Sequence, residues 1–158
     1  MARPQRSTRT ALVVGTVALV AFHLWASSRI GGPSVVFDES GYLGNARWLA
    51  GGSTWEMPRS PSYAVGYPVL IAPVMAIFDT ADAQWRAVLA VNAVLLASVF
   101  PLLAKVLADV FGVPWRRATA VALVGAMAPA VIAAGISAIA ENLVLPLVRA
   151  LVLGAIAM

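Results

Sequence analysis

Apolar and polar positions alternate in blocks along this chain, on a scale far longer than the turn of an amphipathic helix. After a short polar start, residues 11–28 contain no charged side chain, and neither do 87–104 nor 118–140. A hydrocarbon core about 30 Å thick needs about 20 apolar residues in helical form, so each of these runs predicts a membrane-spanning helix. The second run continues as an amphipathic tail through 111. Residues 142–158 form a fourth apolar stretch broken only by Pro146 and Arg149. The expected spans are 11–28, 87–111, 118–140 and 142–158, the third of them interrupted by Pro129.

Residues 29–86 read differently, gathering Gly, Pro, Ser and aromatic residues together with Asp38, Glu39, Glu56, Asp79 and Asp82. This is the pattern of a long structured loop. Inside it, residues 38–50 predict a short amphipathic helix, because Tyr42, Ala46 and Leu49 recur at helical spacing and Gly51-Gly52 ends the run. Asp38 falls where an N-cap would fall. Residues 67–78 are apolar for too short a distance to cross a bilayer and contain Pro68 and Pro73, which predicts an interfacial or re-entrant helix.

Charge placement orients these elements. Cytoplasmic loops are enriched in Lys and Arg, and with three full spans before Glu141 the arginines at 3, 6 and 9 share a side with Arg116 and Arg117. A full crossing by 67–78 would separate them. The N-terminus is therefore expected in the cytoplasm, with the loop 29–86 and the Glu141-Asn142 pair outside. A cleaved signal peptide fits less well, since its apolar region runs to only about 7–15 residues and here more apolar segments follow. The fold expected is all-α, a multi-pass transmembrane helical bundle whose outer loop carries short juxtamembrane helices, in one domain.

Composition narrows the function. The chain is 61% hydrophobic and 11% charged, beyond the apolar share of soluble domains. Its net charge of +4 flanks apolar runs instead of clustering on a soluble face, so no nucleic-acid partner is expected. With no cysteine and one histidine, thiolate chemistry and histidine-rich metal sites are excluded. His23 reads as a helix-packing residue, and no internal repeat supports a transporter built from duplicated halves.

The groups left for chemistry are few. A carboxylate near the membrane surface can take a proton from an acceptor hydroxyl when burial or a neighbouring acid brings its pKa toward operating pH, and Asp38 and Glu39 are the candidates. The same two residues also fit a helix cap and a first-turn acid favoured by the helix dipole. Arg47, Arg59 and Arg86 are loop cations suited either to phosphate or to snorkelling at the interface. Glu141 is a lone acid between spans, and Arg149 lies deep enough in an apolar run to need a partner, a cavity or the interface. The five tryptophans mostly sit near span boundaries, as in an aromatic belt.

The succession of a basic N-terminus, one span, FDESGYLGNARWLAGG and SPSYAVGYPVLIAPVMAIF resembles the N-terminal portion of the GT-C glycosyltransferases that use polyprenyl-phosphate sugars. Protein O-mannosyltransferases and lipid A aminoarabinose transferases belong to this superfamily. Asp38, Glu39 and Tyr42 match the family's acidic pair and following tyrosine. Gly66-Tyr67-Pro68 matches its Pro-Gly-Tyr-Pro element except at the first proline, where Val65 stands. The resemblance implies transfer of a sugar from a polyprenyl-phosphate carrier to an acceptor at the outer face of the inner membrane. It implies catalytic roles for Asp38 and Glu39, and the residues expected to bind substrate are Tyr42, Arg47, Arg59, Tyr67, Arg86 and Glu141. The family's cavity is also lined by later spans, and a divalent cation on Asp38 and Glu39 is left open. Neither the sugar nor the acceptor follows from it. The competing expectation is a non-catalytic scaffold subunit or part of a transporter, with Asp38 a simple cap.

Overall fold

A computed structural model describes residues 4–33, 37–52 and 65–157. Every regular element among them is helical: α1 (Arg6–Ser27), α2 (Phe37–Leu49), α3 (Gly66–Ile77), α4 (Ala81–Asp109), α5 (Trp115–Ala126), α6 (Pro129–Gly135) and α7 (Glu141–Ala157). Two of these, α1 and α4, are long and apolar enough to cross a membrane, and α5 with α6 makes a third if a helix pair bent by 57° counts as one span. At 1.5 Å per residue α1 is about 33 Å long and α4 about 43 Å, so both exceed a hydrocarbon core.

Local chemistry explains where the helices run and stop. In α1 the hydroxyl of Thr16 donates to the Leu12 carbonyl at 2.8 Å and that of Ser27 to Leu24 at 3.1 Å, so polar side chains in an apolar helix are satisfied by their own backbone. The Thr80 hydroxyl caps α4 by accepting from the Ala83 N–H at 3.3 Å. Gly51 follows α2 with φ +88°, a left-handed ending that glycine adopts without steric cost. The expected loop helix is thus present, but it begins at Phe37, which places Asp38 and Glu39 in its first turn and not at the cap. The expected short helix over 67–78 is α3, at 12 residues too short to cross.

The third apolar run departs most from expectation. It is two helices, with Pro129 opening the second, and helical structure stops at Gly135. Residues 136–140 connect α6 to α7 without helical form. Proline supplies no N–H and clashes with the preceding turn, which accounts for the first break. The second break is made at the α6–α7 joint by partners from elsewhere in the chain. The apolar stretch 142–158 appears as α7, 17 residues long with Pro146 inside it.

Three clusters organise the packing; one is small, Leu96 of α4 with Val131 and Ala134 of α6, and the two larger ones mark the ends. Leu19 of α1, Ala97, Phe100 and Ala104 of α4, and Ala122 and Ala126 of α5 form one, with Leu12, Leu107 and Trp115 against it. Gly15 lets α1 approach here, since a Cβ at that position would lie 2.6 Å from the Phe100 ring. The other joins Ala46 of α2, Tyr67 and Ile71 of α3, Trp85, Val88 and Leu89 of α4, and Ala138 of the joint. Because Leu12 near the start of α1, Leu107 near the end of α4 and Trp115 at the start of α5 all pack against the cluster around Phe100, Arg6, Arg9, Lys105, Arg116 and Arg117 fall toward one end of the structure. α2, α3 and the joint occupy the opposite end.

Candidate functional site

At that opposite end, the described structure brings together polar side chains that the sequence scatters over more than a hundred positions. The joint between α6 and α7 leaves backbone groups without helical partners, a costly situation away from water. Three side chains supply the missing bonds. The Ala138 N–H donates to a Glu39 carboxylate oxygen at 2.7 Å. The Ser137 carbonyl accepts from the amides of Asn92 at 2.9 Å and Asn142 at 2.7 Å. The Tyr67 hydroxyl then donates to the Asn92 amide oxygen at 2.8 Å. Glu39, Tyr67, Asn92 and Asn142 are all buried, and the Asn142 amide oxygen, shut away from solvent, lacks a hydrogen-bond partner.

Burial pushes the Tyr67 phenol up to about 12, and the charge of Glu39 adds to the rise. Tyr67 is therefore a neutral donor at any ordinary pH. The Tyr42 ring meets the Tyr67 ring edge-on, with centroids 5.8 Å apart. Glu39, Tyr42 and Ala46 recur along one face of α2, which is the face turned toward α3 and the joint.

The expected site residues divide into several groups. Glu39, Tyr42 and Tyr67 come together. Asp38, one residue from Glu39 and about 100° round the helix, is exposed. The two carboxylates therefore look into different surroundings and do not converge on a shared cation site. Among the described residues no three acidic or imidazole side chains group as metal ligands.

Arg47 stands at the far end of α2, in a cleft of about 520 Å³ with Gly51, Gly52, Met75, Asp79 and Gln84. Its guanidinium reaches the Gln84 side chain at 3.4 Å, and Gln84 donates to the carbonyls of Met75 at 3.1 Å and Phe78 at 2.8 Å. Arg86 is exposed and paired with Asp82 at 2.8 Å, one turn away on its own helix. Glu141 is exposed at the start of α7. Arg59 lies outside the described residues.

His23 is buried against Gly135, where a Cβ would come within 2.8 Å of the ring. Arg149 turns back to donate to the Leu145 carbonyl at 2.6 Å, within its own helix. Trp25 is exposed beneath the Arg29 guanidinium, 5.4 Å from its ring centroid, as an interfacial residue would be. Trp85 is buried in the cluster with Tyr67 and so departs from the belt pattern. Sequence reasoning did not single out Asn92, or Asn142 apart from its acidic neighbour. The available signal was polarity, since an amide at 92 inside an apolar run demands a partner.

No protein-family model, no curated protein and no solved structure matches the chain.

Proposed function

We propose that this chain forms part of a membrane glycosyltransferase that moves a sugar from a polyprenyl-phosphate carrier to an acceptor at the extracytoplasmic face. The proposed setting is the inner membrane, with a multi-pass helical domain and a cytoplasmic N-terminus. One observation carries the reading: Asp38 is exposed on a short helix at the end of the molecule opposite Arg6, Arg9, Arg116 and Arg117. Under the positive-inside rule the basic end is cytoplasmic. The carboxylate then sits at the outer surface, where the head group of a lipid carrier meets water-borne acceptors.

The chemistry asked of the site is modest. An acceptor hydroxyl attacks the anomeric carbon while Asp38 takes its proton. The bond from that carbon to the phosphate oxygen breaks, and the electron pair leaves with the polyprenyl phosphate. Positive charge near the departing phosphate favours this, and a guanidinium is suited to supply it. No step is assigned to a metal, given the divergence of Asp38 and Glu39.

The test is Asp38→Asn, assayed with a panel of radiolabelled polyprenyl-phosphate sugars. Loss of the general base should lower transfer about a hundredfold or more, and undiminished transfer would overturn the assignment. A second reading draws on the unwound joint. Discontinuous helices whose irregular backbone is lined by polar groups also form substrate sites in transporters, and Asn92, Asn142 and Glu39 line such a break. In that case Asp38→Asn would be silent in a transport assay, whereas Asn92→Leu would not.

A further inference from the structure

We infer that Glu39 is a positioning residue: by accepting the Ala138 N–H it docks α2 onto the unwound joint between α6 and α7, and so sets where Asp38 stands. Its catalytic consequence rests on the glycosyltransferase reading, but the docking itself does not. Four observations combine. Glu39 is 1% exposed although it is a carboxylate in a thirteen-residue surface helix. Its bond to Ala138 is 2.7 Å long and joins residues 99 positions apart. The N–H it accepts belongs to a segment outside any helix. The same α2 face also sets the Tyr42 ring edge-on against Tyr67 and buries Ala46 in their cluster.

Apolar contacts hold a short helix against its neighbour but tolerate sliding along and rotation about its axis. A charge-assisted hydrogen bond to one backbone N–H does not, because it weakens steeply with distance and angle. Glu39 therefore fixes the register of α2. Since Asp38 adjoins it on a rigid helix, the side chain at 38 is aimed by the bond made at 39. Asn92 and Asn142, both on the Ser137 carbonyl, hold the other side of the same peptide unit, so the anchor is itself braced by α4 and α7. The acidic pair thus divides its work, with one carboxylate presented to solvent and the other spent on placement.

The test uses the absence of native cysteine. Nitroxides attached after Asp38→Cys and Val144→Cys report the placement of α2 relative to α7 by electron–electron distance distributions in lipid nanodiscs. Glu39→Ala should broaden or shift that distribution and speed hydrogen exchange at the 136–140 segment about tenfold. Glu39→Gln keeps an oxygen able to accept from Ala138 and should restore both. A distribution and exchange rate unaffected by Glu39→Ala would overturn the docking role.

In the transfer assay on protein without the labels, Glu39→Ala should lower kcat by up to about a hundredfold, leave KM for the carrier sugar nearly unchanged, and be rescued by Glu39→Gln. Full activity of Glu39→Ala beside a dead Asp38→Asn would overturn the link from docking to catalysis. If the unsubstituted protein transfers no sugar, it is the glycosyltransferase reading that fails, and the distance and exchange measurements still decide the docking role.

Discussion

The two ends of this molecule are held together by different physics. At the basic end α1, α4 and α5 are unbroken helices, α4 running on through Pro101 at the loss of one backbone bond. What joins them is shape: Phe100 lies between Gly15, Ala97 and Ala104, with Ala122 and Ala126 letting α5 close in. At the opposite end the backbone is broken, and side chains from α2, α4 and α7 supply what the helix no longer does. The contrast teaches that irregular backbone buried away from water needs other protein groups to complete its hydrogen bonds. Polar residues inside apolar runs mark such places.

The largest effect should come from the end that relies on shape. Phe100→Ala removes a ring that is 1% exposed and leaves a cavity between helices that cannot close without moving α1. Buried Phe→Ala changes cost about 3–5 kcal/mol, to be read from SDS-induced unfolding in mixed micelles. Asn92→Leu should cost less, about 1–3 kcal/mol, because it removes no volume of note but strands the Tyr67 hydroxyl and takes one donor from the Ser137 carbonyl. Its damage should be local, with faster hydrogen exchange at 136–142 and none at 97–104. If Asn92→Leu loosened both ends equally, the division between them would be wrong.

Much of this arrangement can be read from particular residues before any coordinates. The charge-free runs locate α1 and α4, and Pro129 marks the first break in the third run. Tyr42 and Ala46 predict the inward face of α2. The second break, after Gly135, was not legible. The local sequence Gly-Ile-Ser-Ala-Ile-Ala carries no proline or strong turn signal, and what opens it is a set of partners at positions 39, 92 and 142 that only folding brings near. For the same reason the sequence ranked Asp38 and Glu39 as one acidic pair. One residue of helical rotation separates an exposed carboxylate from a buried one, and a pattern of types cannot tell which way the helix turns until α3 and the joint define an inside. Arg86 shows the reverse case, a cation suited to phosphate that its neighbour Asp82 already engages.

The smallest expected effect is a dependence on alkaline pH confined to the end with the broken helix. Burial raises the Tyr67 phenol from 10.0 to about 12, so the folded state binds that proton more tightly than the unfolded chain does. By linkage, its contribution to stability is fully present below pH 10 and is lost as pH rises through about 12. The cluster around Phe100 contains no titrating side chain and has no counterpart to this loss. A difference titration at 295 nm between the protein and Tyr67→Phe isolates this phenol from the chain's other two tyrosines. The difference should have its midpoint near 12, and unfolding resistance should fall between pH 10 and 12 more steeply in the protein than in Tyr67→Phe. A midpoint near 10 would mean that water reaches Tyr67, and that the joint is held in a wetter, looser setting than its hydrogen bonds to Glu39, Asn92 and Asn142 imply.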